Sequence, residues 1–296
     1  MWQRYSVAAR RLCSSSSQHQ IKSKPIETIS LPQLSSQDIN SHEHQLAIAD
    51  AIRPYHQSQT PLLLTNLNSK CDAIYFWRSI QYWQAAVPEN TPVDVELGRS
   101  YNTGNRVPMK FGDYLDYLSK VTEQEKKDSK QLDQQEEVAY LAQNELFAEV
   151  RNDIPTPHFC SDGSFNVGEG KLYHSMLWLG PRGTVSPLHY DPLDNLLMQI
   201  VGNKRVLLYP PDKGNGRDNN NSGSWHYAGL NGNQYNTSAV DVENPNFNEH
   251  PNFQTAPTRY ECEIGPGDLL FIPSKWWHHV RSFSDKWSAS ANVWWR

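Results

Sequence analysis

From residue 171 onward, apolar residues recur at every second position or in short unbroken runs. The segments 172–179, 185–191, 196–201, 204–209, 259–264, 268–272, 278–283 and 288–295 all have this character. Alternation sends one set of side chains to a core face, and a continuous apolar run fits a strand buried on both faces, so each segment is predicted to be a strand. Gly180-Pro181, Gly202-Asn203 and Gly265-Pro266-Gly267-Asp268 punctuate them. Those are turn signals, because glycine tolerates positive φ and proline presets its own. Eight short strands at close spacing predict a sandwich or barrel, here a jelly-roll double-stranded β-helix.

Before residue 171 the pattern is mixed. Residues 61–65 read as a buried strand and 93–97 as a half-buried one. Helical spacing of Ile74, Trp77, Ile80 and Trp83 predicts a helix over 73–85, and Tyr114, Leu115 and Leu118 predict another over 111–121. A third helix is expected over 139–150. The charged stretch 123–137 reads as a solvated loop or helix. The expected architecture is mostly β with α: a helical, α+β N-terminal part over 25–170 caps the β-helix core at 171–296. An Asn/Gly-rich insertion over 214–236 is expected to be flexible.

Composition narrows the classes. A chain of 296 residues suffices for one sizeable domain with a short extension. The formal net charge of −5 and the lack of a basic run beyond the N-terminus argue against a broad nucleic-acid surface. Four cysteines, Cys13, Cys71, Cys160 and Cys262, lie scattered without zinc spacing, as expected of free thiols. No stretch approaches the ~18 apolar residues that span a bilayer. Residues 1–24 carry Arg4, Arg10, Arg11, Lys22 and Lys24, a serine run and no acid. That composition predicts a mitochondrial transit peptide, the alternative being an unstructured basic tail on a cytoplasmic or nuclear protein. Several of the ten tryptophans cluster near the C-terminus, where they either close the barrel or form a homodimer face.

The chemistry lies in Ser186-Pro187-Leu188-His189-Tyr190-Asp191. On a strand, His189 and Asp191 project to one face. A later histidine in Trp276-Trp277-His278-His279 completes two histidines and a carboxylate. Such a facial triad leaves metal positions open and is typical of non-haem Fe(II) oxygenases. Adjacent strand residues face opposite ways, so only one of His278 and His279 can enter the cavity. Zinc hydrolysis by the same ligands is the competing chemistry. No GxSxG elbow or GxxxxGK[ST] loop supports hydrolase or phosphate chemistry.

The order and spacing of Tyr140-Leu141-Ala142-Gln143, Gly180-Pro181-Arg182-Gly183-Thr184-Val185-Ser186-Pro187-Leu188-His189, Asp241-Val242-Glu243-Asn244-Pro245 and Pro266-Gly267-Asp268-Leu269-Leu270-Phe271-Ile272-Pro273 go further. With Trp294-Trp295, these motifs resemble the jumonji C (JmjC) 2-oxoglutarate-dependent oxygenases of the cupin superfamily, and within them the lysine demethylase 8 subgroup. The resemblance covers most of the chain after about residue 60. It implies Fe(II) at His189, Asp191 and His278, the Trp-His order favouring His278, with 2-oxoglutarate and O2 as cosubstrates. It also implies that Lys204 pairs with the distal carboxylate of 2-oxoglutarate and that Asn195, Ser186, Tyr101 and Trp294 line its pocket. A compact ammonium suits that role. The implied reaction is hydroxylation of a side chain in a protein or peptide substrate, arginine being a candidate, with release of succinate and CO2. Histone methyl-lysine demethylation, tRNA hydroxylation and a non-catalytic cupin binding module are the alternatives. The absence of a chromatin-reader module or nuclear-import run favours hydroxylation.

Overall fold

The computed structural model describes residues 21–31, 41–65, 71–98, 100, 105–125, 138–154, 156–211, 226–227, 229–230, 236–284 and 286–296. Tyr101, nearly all of the basic N-terminal segment, most of the 214–236 insertion and residues 126–137 of the charged stretch lie outside them.

Six strands come first: β1 (Ser23–Pro25), β2 (Thr28–Ser30), β3 (Leu62–Thr65), β4 (Pro92–Leu97), β5 (Arg106–Lys110) and β6 (Ala139–Glu145). Eight core strands follow: β7 (Leu172–Pro181), β8 (Val185–Tyr190), β9 (Asp194–Val201), β10 (Lys204–Tyr209), β11 (Arg259–Ile264), β12 (Leu269–Ile272), β13 (Trp277–Ser282) and β14 (Trp287–Trp295). All eight fall where the apolar pattern predicts them. They form two sheets, ordered β1-β11-β10-β13-β8 and β2-β3-β12-β9-β14-β7-β6-β4-β5. From β7 to β10 each successive strand changes sheet, as in a jelly roll.

The central strands β12, β9 and β14 of the larger sheet are buried on both faces, which explains their unbroken apolar runs. Along β9, Leu196 and Met198 join the cluster beneath the N-terminal helices, whereas Leu197 joins the one between the sheets. The helices are α1 (His42–Ser58), α2 (Asp72–Phe76), α3 (Ile80–Ala86), α4 (Phe111–Glu125) and the single-turn α5 (Phe159–Asp162). The turn between β9 and β10 requires its glycine: Gly202 sits at φ 73°, and a Cβ there would collide with the Ser284 side chain.

Two helix expectations are corrected. The helix predicted over 73–85 is two short ones, because Ser79 caps a new start by accepting the Tyr82 backbone N–H. The helix predicted over 139–150 is strand β6 followed by a 3-10 helix at Ala148–Asp153. Gln143 there adopts φ 52°, which no α-helix accommodates, and pairing with β7 decides the local conformation.

The β6–β7 seam has an irregular register after Leu141. The fully buried Tyr114 of α4 bridges it: its hydroxyl donates to the Leu179 carbonyl at 2.5 Å and accepts the Leu141 N–H at 3.2 Å. Tyr114→Phe strands both backbone groups in the core. The expected cost is about 1–3 kcal/mol, read as a lower midpoint in urea unfolding with an unchanged slope; an unshifted midpoint would show that the bridge is dispensable.

Candidate metal centre

β8 and β13 are neighbours, and their register sets His189 directly opposite His278. The two rings lie 4.1 Å apart between centroids. Asp191 follows one residue after β8 ends. The ligand atoms of His189, Asp191 and His278 all lie within 4.8 Å of one another. The register slips between His278 and Val280, where the facing strand carries Pro187. Proline has no N–H to give the ladder, so an irregularity fits there.

Both imidazoles are oriented by the same local device. The Nδ1 of His189 lies 2.7 Å from the Pro187 carbonyl, and the Nδ1 of His278 lies 2.9 Å from the Trp276 carbonyl. A carbonyl only accepts, so each Nδ1 carries the proton and each Nε2 keeps its lone pair for a metal. Burial pushes His189 down to about 4 and holds it neutral. His279 points away. Its Nε2 lies 3.6 Å from Glu243, which Arg281 also grips. The structure therefore brings His278, not His279, into the cavity.

Asp191 is held from several sides. Its backbone carbonyl accepts the Lys275 N–H at 2.7 Å, tying the β8 exit to the loop before β13. Its Oδ2 accepts from Trp294 Nε1 at 3.0 Å and from Asn195 Nδ2 at 3.4 Å. Two donors on one carboxylate oxygen fix the orientation of the group, as partners of a metal-ligating carboxylate do.

Lys204 enters the same cavity from the smaller sheet. It is 4 % exposed, and its Nζ donates across to Ser290 Oγ on β14 at 2.6 Å. No carboxylate pairs with it among the described residues. Burial alone pushes it down to about 7. An ammonium buried against one hydroxyl is a costly arrangement that an anionic ligand would relieve. Two imidazoles held through Nδ1, a carboxylate and this cation make a donor set that fits a divalent metal chelated by a dicarboxylate.

Ser186, His189, Asp191, Asn195, Lys204, His278 and Trp294 line one cavity, together with Trp178, Asn292 and apolar residues from both sheets. Seven of the eight sequence-derived site residues thus meet; Tyr101 lies outside the described residues. Sequence reasoning missed Tyr140, Ser290, Asn292 and Trp178. The Tyr140 phenol is buried and hydrogen-bonds with Ser186 and Thr184. Treating its segment as a helix hides this, whereas a strand aims Tyr140 and Ala142 to one side. For β14, the period-two set Ser290, Asn292 and Trp294 was available as a signal, since polar residues on a buried strand need a shared polar cavity.

Comparison with known proteins agrees with this geometry. Residues 49–296 match the family model described as Cupin-like domain. The chain is 34 % identical over 244 residues to "Lysine-specific demethylase 8" of Xenopus tropicalis, covering 81 % of this chain and 49 % of that protein. It is 32 % identical over 238 residues to "Jumonji C domain-containing protein 5" of Drosophila melanogaster, covering 79 % and 54 %. It is 30 % identical over 205 residues to "tRNA wybutosine-synthesizing protein 5" of Gallus gallus, covering 69 % and 54 %. The chain spans about half the length of these relatives. With a jelly-roll core, a His-Asp-His triad in its cavity and a match over five-sixths of its length, the chain belongs to the cupin-like JmjC oxygenase family.

Proposed function

We propose that this chain is an Fe(II)- and 2-oxoglutarate-dependent dioxygenase that hydroxylates a protein side chain, releasing succinate and CO2. The observation that carries the proposal is Lys204, buried in the same cavity as the triad with no carboxylate partner among the described residues. His189, Asp191 and His278 would hold the iron, Lys204 the distal carboxylate of 2-oxoglutarate, and Asn195, Ser186 and Trp294 the rest of that cosubstrate. Bound together, iron and 2-oxoglutarate supply oxidation by O2. The chain's own part is to keep His189 neutral, to hold both imidazoles through Nδ1, to orient Asp191 and to line the cavity with side chains that exclude water. Succinate formation by iron-loaded protein under air, compared with His189→Ala, tests this. Turnover that survives the substitution would refute it.

For the substrate, Glu96 supports arginine. It is 2 % exposed. One oxygen accepts from Arg106 Nε at 2.5 Å, and the other is buried without a hydrogen-bond partner. The register sets Glu96 opposite Tyr140, on the face that reaches Ser186. A guanidinium, with five donors, would complete that carboxylate. Glu96→Gln is expected to lower kcat/KM for arginine peptides about 10-fold, with substrate-free succinate formation unchanged. Equal loss in both assays would remove Glu96 from substrate recognition. The relative named a lysine demethylase supports methyl-lysine as the second reading. Formaldehyde release from methylated peptides would indicate it, whereas a one-oxygen mass gain without formaldehyde indicates hydroxylation.

A further inference from the structure

Behind the candidate metal ligands, the Asn195–Asp191 bond is the last of a run of hydrogen bonds that begins on β7. Trp178 Nε1, on β7, donates to Asn292 Oδ1, on β14, at 2.8 Å. Asn292 Nδ2 donates to Asn195 Oδ1, on β9, at 3.2 Å. Asn195 Nδ2 in turn donates to Asp191 Oδ2 at 3.4 Å. Trp178, Asn292 and Asn195 are all buried.

The direction of this run is fixed by its first member. An indole N–H can only donate, so Asn292 must present its oxygen to Trp178. Its amide nitrogen then faces Asn195, which must present its own oxygen. That leaves the Asn195 nitrogen aimed at Asp191. Without the indole, either amide could turn over and exchange O for N at similar shape. An Asn195 turned that way would set an oxygen against the Asp191 carboxylate and repel it.

We propose that Asn292 is a positioning residue: relaying the donor-only polarity of Trp178 through two amides, it locks Asn195 as a hydrogen-bond donor to the metal-binding carboxylate. The proposal rests on the reading of Asp191 as a metal ligand. Its ground is the chemistry of outer-shell partners, which fix the orientation of ligating carboxylates. The relay also ties a wall of the cavity to the metal centre, since Trp178 packs on Tyr140 with centroids 6.2 Å apart.

The test is Mn(II) binding to the full chain, followed by electron paramagnetic resonance, with thermal melting of the metal-free protein alongside. Asn292→Ala and Trp178→Phe are each expected to weaken Mn(II) binding about 10-fold. The double variant should be no weaker than Asn292→Ala, because both changes break one relay. Asn292→Asp still accepts from Trp178 but cannot donate to Asn195, so it should not rescue binding. Losses that multiply in the double variant, or variants that melt earlier with Mn(II) affinity unchanged, would overturn the relay and leave the metal centre standing. Wild-type protein that binds no Mn(II) would overturn both.

Discussion

Asp191→Ala is expected to abolish iron-dependent succinate formation, with a loss of about a thousandfold or more, since removing a metal's support costs several kcal/mol of transition-state stabilisation. The substitution removes one of three ligand side chains. It also deprives the Trp294 indole and the Asn195 amide of their common acceptor. A buried amide and a half-buried indole left without that acceptor add their own desolvation penalty. His189 and His278 remain paired across β8 and β13, and each keeps its backbone acceptor. The metal-free protein should therefore keep its fold while losing metal. Parallel assays of succinate, bound iron and circular dichroism check this. Wild-type turnover by the variant would place the metal elsewhere.

Lys204→Met is expected to do two opposite things: to weaken 2-oxoglutarate binding about 10- to 100-fold and to stabilise the ligand-free protein. The lysine is a burden to the empty fold. Burial lowers it to about 7, against about 10.4 in an unfolded chain. Between those values the unfolded state binds more protons, so stability rises with pH across that window. Below about pH 7 both states are charged and the penalty of the buried ammonium is fully present. The melting advantage of Lys204→Met should thus be greatest at pH 6 and shrink toward pH 10. In the wild type, a dicarboxylate calls for the ammonium form, so its binding takes up a proton above pH 7 and weakens as pH rises. Calorimetric titration in buffers of different ionisation enthalpy reads that proton directly. Binding by Lys204→Met equal to wild type would end the assignment of Lys204 to the cosubstrate.

The part of this molecule that could be read from sequence follows from which contacts are written locally. Core strands β7–β14 announce themselves because one or both faces are buried and turns separate them. His189 and Asp191 are legible because a spacing of two on an extended chain places both on one face. Strands β1 and β2 are not, since each has three residues and exists through parallel pairing with β11 and β3. Helix α1 was missed because its buried face is short, Ile48, Ala49 and Ile52 beside Gln45. Gln45 reads as surface, yet its side-chain oxygen accepts the His158 N–H at 2.8 Å. Tyr140 escaped because pairing with β7, outside its own segment, makes a strand of a stretch with helical spacing.

β14 lies in the middle of the larger sheet, between β7 and β9, carries Asn292 and Trp294 into the cavity and sets Ser290 against Lys204. The side chains it meets are far away in sequence: Trp178 is 114 positions from Asn292, and Asn195 is 97. Long loops must close before such pairings return any free energy, which slows folding. Lys204 and Asp191 therefore gain their β14 partners only when this strand docks, together with the sheet itself. The triad's two histidines likewise meet only through the long-range pairing of β8 with β13. Acquisition of a competent cavity is in this way tied to completion of the whole β-structure, and it cannot be reached by local ordering of the metal-binding segment alone.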